Sequence, residues 1–153
     1  IKDAKKELTV AKSIFEGANF VTIDAIEHDK KIAVILGLTH LMNLVFANII
    51  SKDDKISLTE KMSGTTFRMQ KILAESIMTE SPELIETIIA NPEIRRVAEE
   101  LWKDIGRLLT AVQESKTEEV LNYIKTCQEK LVENTNLDES YKKLTKMVNA
   151  IEK

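Results

Sequence analysis

Residues Ile32 to Ser51 read IAVILGLTHLMNLVFANIIS, twenty residues without a charge, and how they are read decides the fold. Charges crowd both ends: Glu27-His28-Asp29-Lys30-Lys31 before the run and Lys52-Asp53-Asp54-Lys55 after it. The length suffices for a membrane span, which needs about 20 apolar residues. The content argues otherwise. Thr39, His40, Asn43 and Asn48 fall in the middle and far end of the run, and polar groups at bilayer depth are costly unless other helices satisfy them. His40 and Asn43 stand three apart and share a helix face. Leu36 and Leu44, one turn to either side of His40, keep that polar face short. We therefore expect a helix buried on nearly all sides in a soluble assembly, with a polar spot built into it and no membrane. The remaining helices of so small a chain can hardly cover it. A second copy is the natural cover, which makes the expected assembly a homodimer with this helix at its centre.

Composition bounds the rest. The 153 residues fit one domain with a core, and 43% hydrophobic and 31% charged residues are globular values. Four glycines and two prolines are few, as long helices require. A net charge of -3 gives no electrostatic case for nucleic acid. The single cysteine, Cys127, excludes an internal disulfide and suits a reducing compartment, the cytoplasm. Two histidines and one cysteine do not provide the ligand set of an ordinary zinc site, so no metal is expected. The N-terminus, IKDAKKELTVAK, lacks the apolar core of a signal peptide and an initiator methionine, so the chain is a processed form or a piece of something longer.

Outward from the central run, the chain is predicted to be mainly α. Leu8, Val10, Ala11, Ile14 and Phe15 give a first helix one apolar side, and Gly17 suits its C-terminal cap. Phe20-Val21-Thr22-Ile23 is the one strong strand signal; alone it must pair with something outside the chain or serve as an extended linker. About six helices then follow from Ala25. Ser57-Leu58-Thr59-Glu60 matches a capping box opening a short helix. Ser63-Gly64-Thr65-Thr66 breaks the pattern, and the next helix is expected to bury Met69, Ile72, Leu73, Ser76 and Ile77. Ser81-Pro82-Glu83 and Asn91-Pro92-Glu93 are helix starts with proline at the first helical position. The second opens a long amphipathic helix through Ile94, Val97, Leu101, Ile105, Leu108 and Val112. Val120, Ile124, Cys127 and Leu131 mark another, and Leu137, Tyr141, Leu144, Val148 and Ile151 the last.

The best local site is the break before Phe67. Free backbone N–H groups point out of a first helical turn and attract anions. Arg68 lies in that same turn, where a cation gains nothing from the helix dipole. It makes sense there if an anion, most simply a carboxylate held bidentately, binds between it and the N–H groups. The plain alternative is a solvated arginine beside hydroxyl caps. For His40 the plain alternative is a core histidine donating to a backbone carbonyl. His28 is read as hydrogen bonding at the helix entry with Asp29, Trp102 as packing, and Cys127 as core. No nucleophile–base pair, phosphate loop or metal cluster occurs, so no residue of the chain is expected to be catalytic.

The order of these features adds more. VTIDAIEHDKKIAVILGLTHLMNLVFANII (residues 21–50) followed by MSGTTFRMQKILAESIMTESPELIETIIANP (residues 62–92) resembles the C-terminal half of prephenate dehydrogenases of tyrosine biosynthesis. The resemblance rests on the Glu27-His28-Asp29 entry, the helix with His40, the Gly64-to-Arg68 turn and the Ser81-Pro82-Glu83-Leu84 start with Ile88 beyond. It implies an all-α dimerisation and substrate-binding domain over residues 25–153. Residues 1–24 would be the last helix and strand of a Rossmann-type domain whose remainder, with its glycine-rich fingerprint and the family's catalytic histidine, is missing. NAD or NADP would be bound there, and nothing in this chain matches that fingerprint.

The implied reaction is oxidative decarboxylation of prephenate to 4-hydroxyphenylpyruvate, with hydride passing to the nicotinamide. This chain would be inactive alone. The resemblance makes Arg68 the substrate-carboxylate arginine, His40 a substrate-pocket histidine, and Gly64 and Thr65 pocket lining. Where many members carry proline and a second histidine, this sequence has Met42 and Asn43, so a second imidazole does not carry over. Two other readings stand beside this one. The first is a non-catalytic helical homodimer that regulates by binding a small carboxylate such as tyrosine. The second is a small all-α enzyme such as a chorismate mutase, which would need more converging cations than Arg68.

Overall fold

The structure, a computed structural model, describes residues 3–151. Among them the regular secondary structure is entirely helical. In chain order the elements are α1 (Ala4–Ile14), α2 (Ala25–Ile32), a π-helical turn (Ala33–Leu38), α3 (Thr39–Ile50), α4 (Ile56–Met62), α5 (Thr65–Ile77), α6 (Pro82–Ile89), α7 (Pro92–Gln113), α8 (Thr117–Val132) and α9 (Leu137–Ile151). The segments α2, π turn and α3 run on as one central helix, Ala25–Ile50. Its start is fixed by Asp24, whose carboxylate accepts from the Glu27 backbone N–H.

The helix starts at Ser81-Pro82 and Asn91-Pro92 form as the sequence predicts. The Ser81 hydroxyl accepts from Leu84 N–H, and the Asn91 side chain from Glu93 N–H. Gly17, just past α1, takes φ +78°, a left-handed conformation that glycine adopts without steric penalty. At Phe20–Ile23 the extended-linker reading holds and no strand forms. Residues 18–24 have no regular structure, because the described chain offers no second strand to complete a ladder. The capping box is corrected. The α4 helix already begins at Ile56, and Asp53 organises its entry by accepting from Lys55 N–H and from the Thr59 hydroxyl.

The core lies where α7 crosses the π turn. Ala33, Ile94 and Val97 are buried there, with Leu38, Leu41 and Ile88 packed around them. Gly37 permits the crossing: a Cβ built on it would meet Cγ1 and Cδ1 of Ile94 at 2.5 Å. On the other side α3 packs on α5, where the rings of Phe46 and Phe67 sit 5.8 Å apart at 57°. The α5 helix in turn carries α9, and α7 carries α8.

The buried face of α5 differs from expectation. Met69 and Ala74 are buried, while Ile72, Leu73 and Ser76 are exposed. Trp102, read as packing, is 77% exposed. These shifts share a cause, since one copy of the chain leaves much apolar surface open. Its accessible surface is 12444 Å², against about 7,900 Å² for a compact monomer of 17.4 kDa. The central helix is long and apolar enough to cross a membrane by length and composition, and little of its apolar stretch is buried within the chain. Met42, Val45 and Ile49 lie along one exposed stripe of it.

Candidate functional site

Two polar constellations follow from the sequence. The first is the spot on the central helix. Through the π turn the helix widens and its carbonyls lose their ordinary i+4 donors. Backbone N–H groups one residue further on pair with those carbonyls, and side chains add to them: the Thr39 hydroxyl donates to the Ile35 and Leu36 carbonyls, and His40 Nδ1 lies 2.8 Å from Leu36 O. His40 is 5% exposed and Asn43 is 7% exposed. His40 Nε2 faces Glu80 Oε2 at 3.3 Å. A carbonyl only accepts, so Nδ1 donates to Leu36. The contact at Nε2 is then a hydrogen bond when one further proton sits between ring and carboxylate. Asn43 Nδ2 donates to the Thr39 carbonyl, and its Oδ1 accepts from Gln70 Nε2, both at 2.8 Å. His40 thus ties the central helix to the turn between α5 and α6, and Asn43 ties it to the middle of α5.

The second constellation is the break between α4 and α5. Gly64 is the N-cap of α5 with φ -88° and ψ -176°, and no side chain caps the first turn. Nothing approaches within 4 Å of a Cβ built on Gly64, so the space before the helix is open. Gly64, Thr65 and Arg68 are all exposed there. The guanidinium of Arg68 leans back along the break and donates through Nε to Ser63 Oγ at 3.3 Å. It lines a cleft of about 440 Å³ shared with Ser57, Lys61, Phe67, Lys71, Ile72 and others. That volume falls in the range of small-molecule sites. Lys71 is already engaged: its ammonium binds Glu75, and Glu60 at 3.0 Å. Those two carboxylates, Glu75 first, hold its pKa above the ordinary lysine value. Arg68 and Lys61 make up the rest of the cationic side of the cleft.

Arg68, Gly64 and Thr65 share one turn, but of the expected site residues Arg68 alone lines the cleft; Gly64, Thr65 and His40 lie outside it. The partner of His40, Glu80, lines a different cleft of about 540 Å³ with Leu44, Met78, Pro82 and Ile85. Sequence reasoning missed Glu80, Gln70 and the residues around Arg68 that come from distant segments. The one signal for Glu80 was its place directly before the Ser81-Pro82 helix start. His28 Nδ1 meets Asp29 Oδ1 at 3.1 Å at the helix entry, as read. Cys127 is half-buried. Among the described residues no group of three or more His, Cys, Asp or Glu could hold a metal ion.

The four glycines of the chain, Gly17, Gly37, Gly64 and Gly106, do not fall at the spacing of a dinucleotide-binding turn.

No curated protein and no solved structure matches the chain. A family model does match, the one described as prephenate dehydrogenase, dimerization domain, over residues 24–126. That span runs from the Asp24 cap through the central helix, the Glu80 cleft, all of the Arg68 cleft but Ile151, and α7 into α8, and covers more than half of the chain. The chain belongs to the prephenate dehydrogenase dimerization-domain family.

Proposed function

We propose that this chain is the dimerising and substrate-binding part of a prephenate dehydrogenase, and that it holds prephenate by a carboxylate at Arg68. The supporting observation is the open first turn of α5, where Gly64 leaves the space before the helix clear and Arg68 lies alongside. Backbone N–H groups at the turn and a planar guanidinium beside them are the donor set that a carboxylate takes up. Thr65 would add a hydroxyl at the rim. Buried against Glu80, His40 would act as a positioning residue that holds the turn between α5 and α6 to the central helix.

In this reading the assembly is a cytoplasmic homodimer with the exposed stripe of the central helix at its centre, needing neither membrane nor nucleic acid. The oxidation itself, with NAD or NADP, belongs to a nucleotide-binding domain outside this chain. The chain's own residues bind and orient the substrate and perform no step of the redox chemistry.

Calorimetric titration of prephenate into the chain tests this. Binding should be lost by about 10- to 150-fold in Arg68→Ala, the equivalent of about 1.5–3 kcal/mol for a charged hydrogen bond. Equal affinity of the variant would remove Arg68 from the site. Turnover of prephenate by this chain with NAD or NADP would overturn the division of labour. Tyrosine binding in place of prephenate would point to the regulatory reading instead.

A further inference from the structure

The family match ends at residue 126, yet one wall of the Arg68 cleft comes from beyond it. The C-terminal helix α9 packs on α5. Leu144 is half-buried, Val148 is buried, and Ile151 lines the cleft. Residues at i, i+4 and i+7 share one helix face, so the face of α9 that docks on α5 continues directly into the cleft. Ile151 joins Phe67 and Ile72 as the apolar lining, with Arg68 and Lys61 as cations and Glu60 paired to Lys71. A cleft that joins apolar residues to cations suits a small molecule that carries a carboxylate on an apolar ring.

We infer that α9 is a specificity wall of the substrate cleft, and that Ile151 sets how far an apolar body anchored at Arg68 extends. This rests on the carboxylate reading of Arg68.

The test is prephenate titration into four forms of the full chain: wild type, Arg68→Ala, Ile151→Trp and Ile151→Ala. Ile151 is half exposed at a helix end, so both substitutions leave α5 and its packing in place; thermal melts of each form check this. Ile151→Trp should fill the cleft and weaken binding about tenfold or more, and Ile151→Ala should weaken it a few-fold by removing apolar contact. Unchanged affinity in both Ile151 variants, with binding lost in Arg68→Ala, overturns the wall and leaves the carboxylate reading standing. Unchanged affinity in Arg68→Ala overturns both. If Ile151→Trp proves unstable, Ile151→Ala alone decides, and wild-type affinity there refutes the wall.

Discussion

Gly37→Ala should destabilise this chain, although alanine favours helices over glycine by about 1 kcal/mol. The added Cβ would sit 2.5 Å from both Cγ1 and Cδ1 of Ile94, where ordinary carbon contacts lie near 3.5–4 Å. Ile94 is 3% exposed and cannot swing into solvent. Relieving the overlap therefore means parting α7 from the π turn or forcing Ile94 off its rotamer. Such overpacking costs about 1–3 kcal/mol, and an overlap of more than 1 Å at two atoms puts it near the upper end. After the helix-propensity gain the net loss should be about 2 kcal/mol.

Ile94→Ala alone should cost about 2–5 kcal/mol as a core truncation. In the Gly37→Ala background it should cost less by about 1–3 kcal/mol, because both clashing atoms are gone. Urea unfolding of the four proteins at one fixed protomer concentration gives the cycle, since the proposed dimerisation would make stability concentration-dependent. A Gly37→Ala protein as stable as wild type, or strictly additive losses, would refute the close crossing as the reason for glycine at position 37.

Three other outcomes follow. The Thr59 hydroxyl first, and the Lys55 backbone N–H second, hold the Asp53 carboxyl below the usual carboxylate range. A depressed folded-state pKa adds stability above the unfolded value, about 3.9, that is lost as pH falls through the folded one. Thermal midpoints between pH 5 and 2 should thus fall more steeply for wild type than for Thr59→Val, and parallel curves would contradict this. Asn43→Leu should cost about 1–3 kcal/mol by stranding the Gln70 amide, with much of the loss recovered in Asn43→Leu/Gln70→Leu; urea melts showing no recovery would exclude that pairing. Ile49→Glu, at a position 62% exposed in one copy, should weaken self-association by about 100-fold or more, because each partner would bury an unpaired carboxylate; sedimentation at several concentrations reads this, and unaltered association removes Ile49 from the interface.

The parts of this fold that were legible in the sequence are those that local chemistry dictates. The Ser81-Pro82 and Asn91-Pro92 starts formed because cap and proline act within one turn. The polar spot of His40 and Asn43 was legible because polar side chains in an uncharged run must find partners, although the partners Glu80 and Gln70 depend on tertiary placement. The π turn was not legible: widening one turn leaves the hydrophobic pattern nearly unchanged, and its traces, Gly37 with Thr39 behind it, occur in ordinary helices. The capping box at Ser57 lost to Asp53, which reaches the same helix end from outside it. On α5 the helical spacing points to Ile72 and Leu73 as core, but one copy of the chain leaves them exposed while Ala74 packs inside. At the candidate site the Gly64-to-Arg68 turn was local and legible. The α9 wall, brought in from some 80 residues away, was not.

In the proposed assembly the open apolar surface, and the central helix above all, lies against a second copy of this chain. Sedimentation equilibrium of the chain in detergent-free buffer tests it directly. A dimer of 17.4 kDa protomers is expected, at twice the protomer mass and persisting on dilution. A stable monomer, or a chain that stays in solution only with detergent, would contradict the claim.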